Sequence, residues 1–268
     1  MKSVELEQKK GNFVMAEKKI GDIKMELQAA ADKELPLFIQ AYESDERTGV
    51  QSLVAKARKC LEALEKEILR TEEMKRYEKE YEACGYICGI DEVGRGPLAG
   101  PVVAGAVILP KDCKILYIND SKQLSEKKRE ELYDIIMQEA VAVGIGYATH
   151  TRIDEINILQ ATYEAMREAI SKLPVKPDIL LNDAVTIPQV AIRQVPIIKG
   201  DAKSMSIAAA SIIAKVTRDR LMVEFDKAYP EYHFAENKGY GSAVHIEALK
   251  KIGPSPIHRR TFIKNFCE

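Results

Sequence analysis

The chain has 268 residues, of which 46% are hydrophobic and 30% charged, and its formal net charge at pH 7 is −1. Such a composition is that of a globular protein with one large domain, or a main domain and an appendage, and it excludes a highly charged disordered chain. A global basic excess is also excluded. Locally, residues 199–264 hold 12 Lys and Arg against 7 Asp and Glu. That excess indicates either a polyanion-binding face or a chance fluctuation of surface charge.

The first 82 residues are rich in Lys, Glu, Ala and Leu and predict a small all-helical N-terminal extension (1–82). Apolar residues at three- and four-residue spacing favour an amphipathic helix from about Val50 to Glu80, after an earlier helix from Ile20 to Ala31. Pro36 lies in a short connection or starts another helical turn. The long helix carries basic residues among its acids, namely Lys56, Arg58, Lys59 and Lys66. A substrate-binding extension, a partner contact and a solvated structural face all remain open.

Residues 83–268 have a different texture, in which apolar runs alternate with helical patterns. The predicted strands are Tyr86–Ile90, Val102–Leu109, Ala142–Thr149, Asp178–Asp183 and Gln194–Lys199. The predicted helices are Ser125–Glu139, Ile153–Leu173, Ser204–Phe225 and Ser242–Lys251. A hairpin followed by helix-separated strands predicts an α/β domain with a mixed sheet flanked by helices.

The segment from Tyr86 to Pro101 is the most informative part of the chain. An apolar strand is followed by two adjacent acids, Asp91 and Glu92, where we expect the strand to end, and then by the turn Gly94-Arg-Gly96. Neighbouring carboxylates are costly in a core unless a cation compensates them. Backbone amides of a glycine turn can approach a phosphate closely. The segment therefore suggests phosphodiester chemistry at a metal site.

Two further acids occupy similar positions. Asp183 ends an apolar strand, and Asp201 lies between the last strand and a long helix. If the strand of Asp183 lies parallel to that of Asp91, both carboxylates emerge at the same sheet edge, where ligand sites of open α/β sheets collect. Several acids gathered without neutralising partners make physical sense around divalent cations. Asp219 is the rival to Asp201, although pairing with its flanking arginines is the better explanation for it.

Four segments occur in an order that resembles bacterial ribonuclease HII, the type 2 ribonuclease H. They are Asp91-Glu-Val-Gly-Arg-Gly-Pro-Leu-Ala-Gly-Pro, Asp120-Ser-Lys-Gln-Leu-Ser, the stretch from Gly200 to Arg220, and Asn237-Lys-Gly-Tyr-Gly. The resemblance covers about Tyr86 to Phe262 and implies a ribonuclease H-like fold. The helical extension resembles one found in some members of that family, outside the shared catalytic unit.

The resemblance implies an endonuclease that acts on nucleic acid. We expect it to cleave RNA in RNA–DNA hybrids and to nick 5′ to a ribonucleotide embedded in duplex DNA, leaving 3′-hydroxyl and 5′-phosphate ends, as ribonucleotide excision repair requires. The catalytic and metal-binding acids then fall on Asp91, Glu92, Asp183 and Asp201. Two divalent ions, Mg²⁺ or Mn²⁺, would activate water and stabilise the leaving 3′ oxygen, without a side-chain nucleophile.

Substrate binding is implied for seven further residues. The turn of Gly94, Arg95 and Gly96 is expected to read the ribose 2′-hydroxyl, and Tyr240 to stack on the adjoining deoxyribose. Lys122, Lys203 and Ser204 are candidates for backbone phosphates, although the lysines equally fit solvated charges, Ser204 a helix cap, and Tyr240 a ring tucked against the last helix. We assign no chemistry to the small-residue helix Ser206–Ala214. The four histidines fit core or surface roles, and His245 could orient the Tyr240 loop.

The alternative function is a non-catalytic nucleic-acid-binding module with a structural metal. It is disfavoured because a decayed enzyme is expected to lose one of the acids or the glycine turn. The five cysteines, Cys60, Cys84, Cys88, Cys113 and Cys267, lack zinc-site spacing and are expected to be reduced thiols. With no signal peptide and no membrane-spanning segment in the sequence, we expect a cytoplasmic monomer.

Overall fold

Helices form the described part of the N-terminal extension. The computed structural model describes residues 18–266, so residues 1–17 of the expected extension and Cys267 lie outside this range. The helices are α1 (Ile20–Ala29), α2 (Leu35–Tyr42) and the start of α3 (Thr48–Met74). Their buried apolar side chains include Ile23, Phe38 and Val54. Pro36 lies in the first turn of α2, where its missing amide proton costs nothing.

The chain divides into two compact units, and the boundary lies within α3, between Glu67 and Ile68. The end of α3 and helix α4 (Arg76–Glu80) belong to the larger unit, although the sequence boundary was expected at residue 82. The reason is local packing. Met74 contributes to an apolar core of the larger unit, and Glu78 accepts hydrogen bonds from the Ser204 hydroxyl (2.6 Å) and the Ser206 amide (2.9 Å).

The larger unit is built on a five-stranded mixed sheet in the order β3-β2-β1-β4-β5. The strands are β1 (Ile87–Val93), β2 (Val102–Ile108), β3 (Ala142–Ala148), β4 (Ile179–Asp183) and β5 (Arg193–Ile197). Strands β1, β2 and β3 pair antiparallel as a meander, whereas β4 and β5 run parallel to β1. The predicted mixed sheet is confirmed. Strand β1 is longer than expected, because both acids continue its pairing with β2.

Helices cover both faces of this sheet. They are α5 (Glu126–Glu139), α6 (His150–Ile156), α7 (Ile158–Ser171), α8 (Met205–Ala228), α9 (Phe234–Asn237) and α10 (Ala243–Ile252). Apolar residues of α7 pack on one face and those of α5 and α8 on the other. The single helix predicted from Ile153 to Leu173 is two helices. Asn157 has a positive φ of 69°, which ends α6, and its side chain caps α7.

Two properties of the described residues bear on environment. No helix between residues 18 and 266 has both the length and the apolar character needed to cross a membrane. The cysteines in this range, Cys60, Cys84, Cys88 and Cys113, all carry free thiols.

Close packing of α8 on the sheet depends on glycine. A Cβ atom built on Gly89 would lie 2.0 Å from the Ser206 carbonyl carbon, and one on Gly105 would lie 2.5 Å from the Ala210 carbonyl oxygen. Real Cβ atoms do not approach backbone this closely, so these glycines set the distance between sheet and helix. That distance in turn fixes the position of Asp91, two residues beyond Gly89.

We expect Gly89→Ala to lower the free energy of unfolding by about 1–3 kcal/mol, since α8 must move away from β1. Chemical denaturation monitored by circular dichroism measures the change. The matched control is Gly21→Ala in α1, where a Cβ atom meets nothing within 4 Å and alanine suits a helix better. Equal stability of the Gly89→Ala variant and the wild type would contradict this packing argument.

Candidate active site

Parallel pairing brings Asp91 and Asp183 to one edge of the sheet. The β1–β4 ladder ends with Ile90 beside Asn182, so the two aspartates follow in adjacent positions. Because side chains alternate along a strand, Asp91 and Asp183 share the sheet face of Gly89 and Leu181, which α8 covers. The predicted emergence of both acids at the same edge is confirmed.

Burial and mutual repulsion disturb the first two acids. Asp91 is only 5% exposed. Burial and then the charges of Glu92 and Asp183 raise the pKa of Asp91 well above its usual range, against a hydrogen bond from Ser211. Burial also raises the pKa of Glu92, although the Arg95 guanidinium, 3.2 Å away, opposes that shift. Burial therefore disfavours the ionised form of both carboxyl groups, and of the two Glu92 has a guanidinium beside it.

The third site acid is tied to the fourth through a backbone hydrogen bond. Asp201 lies in a short 3₁₀ turn after β5, and the Gly200 amide of that turn donates to Asp183 Oδ1 at 2.7 Å. Burial, then the charges of Asp120 and Asp183, raise the pKa of Asp201. Asp120 was assigned no role from the sequence, and its effect on Asp201 places it beside the site.

Lys122 is a second cation, besides Arg95, that faces this group of acids. Its ammonium lies 4.0 Å from Asp201 Oδ2, and its side chain is 72% exposed. Burial acts to lower the pKa of Lys122, but the surrounding carboxylates, led by Asp120 and Asp91, raise it overall.

Asp219 lies on α8 and pairs with Lys215 at 2.8 Å rather than with an arginine, contrary to expectation.

The donors available for a cation here are carboxylate oxygens, the ligands preferred by Mg²⁺ and Mn²⁺. No three Asp, Glu, His or Cys side chains of residues 18–266 converge closely enough to form a ready-made coordination shell. Each acid instead meets its own donor, as Asp183 meets the Gly200 amide and Glu92 meets Arg95. The buried, mutually repelling oxygens fit a divalent cation in charge and in chemistry.

Buried arginines shape the glycine turn next to the acids. Gly94 has a φ of +93°, a conformation that disfavours side chains. The fully buried Arg259 donates to the carbonyl oxygens of Gly94 (2.5 Å), Arg95 (3.0 Å) and Gly100 (3.0 Å). In a trans peptide the C=O and N–H bonds point in opposite directions. The amides of Arg95 and Gly96 therefore point away from Arg259, and the turn presents donors.

A second buried arginine joins this turn to the Tyr240 loop. Arg218 donates to the carbonyl oxygens of Ala99 (3.0 Å), Pro101 (2.9 Å) and Lys238 (2.8 Å). Burial lowers the pKa of Arg218 to about 10, and burial followed by the charge of Arg218 lowers the pKa of Arg259 to about 9. Both guanidinium groups therefore stay charged at neutral pH. Neither arginine was predicted to hold this turn, although Arg218 lies within the predicted helix Ser204–Phe225.

Tyr240 is 44% exposed, and its ring lies 3.8 Å from the position of a Cβ atom on Gly96. A chain of histidines fixes its backbone. The Ser255 amide donates to His258 Nδ1, so the neutral His258 carries its proton on Nε2, 2.8 Å from His245 Nε2. His245 then donates from Nδ1 to the Tyr240 carbonyl at 2.8 Å. The suggestion that His245 orients this loop agrees with that contact.

The two remaining phosphate candidates differ. Lys203 is exposed, and its ammonium donates to the Ile198 carbonyl at 2.9 Å. Ser204 is fully buried; its hydroxyl caps α8 through the Ile207 amide and donates to Glu78. No surface of Ser204 is left for a phosphate, so its helix-cap alternative is the one that the structure shows. Ser211 is the reverse case: no role was predicted for it, yet it forms a hydrogen bond that lowers the pKa of Asp91.

Comparison with known proteins identifies the family of the chain. The family model described as ribonuclease HII matches residues 88–265, and the model of the ribonuclease HII N-terminal domain matches residues 19–82. The chain belongs to the ribonuclease HII family. It is therefore a type 2 ribonuclease H, an endonuclease. A ribonuclease HII of Lachnoclostridium phytofermentans is 66% identical over 92% of this chain and 97% of its own length.

Two solved structures show the same fold. The ribonuclease H2 of Pyrococcus horikoshii is 31% identical, with a TM-score of 0.55 over 66% of this chain and 93% of that one. A Bst-RNase HIII solved with Mn²⁺ is 18% identical, with a TM-score of 0.52 over 66% of this chain and 67% of its own, a likeness of fold alone.

We expect Asp91→Asn to stabilise the protein when divalent metal is removed. The raised pKa of Asp91 means that the folded state holds the proton more tightly than the unfolded state, so this group's contribution falls as pH rises above its ordinary value. In EDTA at pH 8 the variant should melt at least about 2 °C higher, the shift that roughly 1 kcal/mol produces. Scanning calorimetry at pH 8 and pH 5 measures it.

The advantage of the variant should shrink at pH 5, where Asp91 is more fully protonated in the folded state. Asp134→Asn is the control, because the Asp134 side chain is 79% exposed and its substitution should change stability by less than about 0.5 kcal/mol. A lower melting temperature for Asp91→Asn than for wild type at pH 8 would contradict the repulsion among these acids.

Proposed function

We propose that this enzyme hydrolyses the RNA strand of RNA–DNA hybrids and nicks duplex DNA 5′ to an embedded ribonucleotide, leaving 3′-hydroxyl and 5′-phosphate ends. The observation that carries the proposal is the location of Asp91 and Asp183 at one sheet edge, directly beside a turn whose amides point outward. Family membership supports the reaction class. The arrangement of acids and turn supports the choice of substrate.

Two divalent ions, Mg²⁺ or Mn²⁺, are proposed to bind to four acids: Asp91, Glu92, Asp183 and Asp201. The raised pKa values of Asp91, Glu92 and Asp201 support this role, since a bound cation would relieve the repulsion that raises them. When bound, two such ions supply Lewis-acid chemistry that activates water and stabilises the leaving 3′ oxygen. The Mn²⁺ of the ribonuclease HIII structure is consistent with an oxygen-rich divalent site.

The glycine turn and Tyr240 are proposed to recognise the junction between ribose and deoxyribose. The amides of Arg95 and Gly96 can donate to the 2′-hydroxyl, the group that distinguishes RNA from DNA. Gly94 is required by its positive φ and by its closeness to Arg218, where a Cβ atom would lie 2.3 Å from Nε. The exposed ring of Tyr240, next to Gly96, is placed to stack on the neighbouring deoxyribose.

Lys122 and Lys203 are proposed to contact backbone phosphates, because both are exposed beside the acids. The N-terminal extension is proposed to add affinity for the duplex. In the cell we propose a cytoplasmic monomer that acts in ribonucleotide excision repair, since the relative that is 66% identical is bacterial and the chromosome of a bacterium lies in the cytoplasm.

The decisive experiment uses a DNA duplex with one ribonucleotide in one strand. Wild-type protein with Mg²⁺ or Mn²⁺ should produce a single nick on the 5′ side of that ribonucleotide, mapped on a sequencing gel. Asp91→Asn should lower the rate by at least about a hundredfold while hybrid binding is retained. Binding without metal-dependent cleavage by wild type would instead favour a non-catalytic binding module with a structural metal.

We expect Arg259→Lys to lower kcat/KM on this duplex by about tenfold to a hundredfold, because lysine keeps the charge but cannot hold three carbonyl oxygens in the geometry of a guanidinium. The metal-dependent rise in melting temperature should stay as in wild type, since the acids are untouched. The matched control is Arg260→Lys at the next, exposed position. Full activity of Arg259→Lys would show that the turn does not depend on Arg259.

A further inference from the structure

A basic groove adjoins the candidate active site on the side of α3 and α4. Its volume is about 540 Å³, and we define it by its lining residues: Arg70, Glu73, Met74, Arg76, Tyr77, Asn119, Ala202 and Lys203. All of them belong to the larger unit. Three cationic side chains face one carboxylate, that of Glu73. The groove therefore has the charge of an anion site, and of its cations only Lys203 has been given a role so far.

The groove is continuous with the turns that carry the site acids. Asn119 precedes Asp120, and Ala202 follows Asp201. Asn119 and Ala202 both line the groove, so the turns that carry Asp120 and Asp201 meet at its wall. The groove therefore begins next to two carboxylates of the candidate active site.

Neutral groups hold Arg76 and Lys203 in position in the groove. Arg76 lies over the Tyr77 ring, 4.8 Å from its centroid, and donates to the Tyr77 hydroxyl at 3.0 Å. Lys203 donates to the Ile198 carbonyl at 2.9 Å, and Arg70 to the Ile118 carbonyl at 2.6 Å. Over residues 18–266, no carboxylate lies within 4.0 Å of the charged nitrogens of Arg76 or Lys203. Their charge thus remains available to an external anion.

We propose that the basic groove binds a backbone phosphate of the duplex at a distance from the scissile bond, with Arg76 as the main contact and Tyr77 as its support. The inference rests on the proposed function and deepens it, because it adds residues at the end of α3 and in α4 to the nucleic-acid interface. A guanidinium fixed by stacking loses little freedom when it binds a phosphate. Recognition at this position is independent of base sequence.

The test compares Arg76→Ala with Arg193→Ala on a duplex that contains one ribonucleotide. Arg193 is a matched control, since it stacks on Tyr81 at 5.1 Å but begins β5, at the strand end opposite Ile197 and the site acids. Arg76→Ala should raise KM about fivefold to tenfold at low salt and leave kcat unchanged. The dependence of log KM on log salt concentration should weaken by about 0.9, the value for one phosphate contact. Arg193→Ala should behave as wild type.

A second measurement identifies the phosphate. Single phosphates of the substrate are replaced one at a time by neutral methylphosphonates, and KM is measured with wild type and with Arg76→Ala. At the contacted position the replacement should raise KM of the wild type but not that of the variant. Equal KM values for Arg76→Ala, Arg193→Ala and wild type would overturn the groove site. The same would follow if the methylphosphonate raised KM of Arg76→Ala as much as KM of the wild type at every phosphate position. Failure of the wild type to nick at the ribonucleotide would overturn the proposed function instead.

Discussion

Parallel pairing between β1 and β4 is the constraint on which the rest of the site depends. It places Asp91 and Asp183 on one sheet face at one edge, where their charges cannot be separated. Gly89 makes the arrangement tighter, because it lets α8 approach until Asp91 is almost fully buried. A core residue in that place would stabilise the fold more. The fold instead contains carboxylates whose repulsion a bound cation would relieve, which is the exchange of stability for function expected if these acids have the proposed role.

The same region also contains two buried arginines, which bind backbone carbonyl oxygens rather than the acids. Arg218 and Arg259 each bind three carbonyl oxygens, and together they turn the acceptors of the 94–101 loop inward. Hydrogen bonds from a charged donor are stronger than neutral ones. They hold a loop with positive φ at Gly94 and Gly100, together with the apolar packing of Leu98 and Ala99. Repulsion among the acids thus persists beside their own protein donors, whereas the buried arginines are paired with carbonyl oxygens.

The sequence predicted those features that are encoded locally or by a repeating pattern. The strand that ends in Asp183 and the Gly94-Arg-Gly96 turn follow from apolar runs and glycine spacing, and their convergence follows from parallel pairing. Arg259 could not be found in this way, because its contacts with Gly94 and Arg95 lie more than 160 residues away in sequence. Ser204 had two explanations from sequence alone, and only burial separates a helix cap from a phosphate ligand.

The histidines that hold the Tyr240 loop, His245 and His258, are neutral. Burial, with the neighbouring charge of His245, lowers the pKa of His258 to about 3, and burial lowers that of His245. A charged imidazole would add positive charge to a region that already contains two buried guanidinium groups. Neutral rings hold the Tyr240 carbonyl without that electrostatic cost. Burial disfavours the charged form of both rings, so the hydrogen bond to the Tyr240 carbonyl does not depend on a charged histidine. In the proposed site the carboxylates are then the groups through which pH would affect cation binding, whereas the Tyr240 carbonyl is held by an uncharged partner.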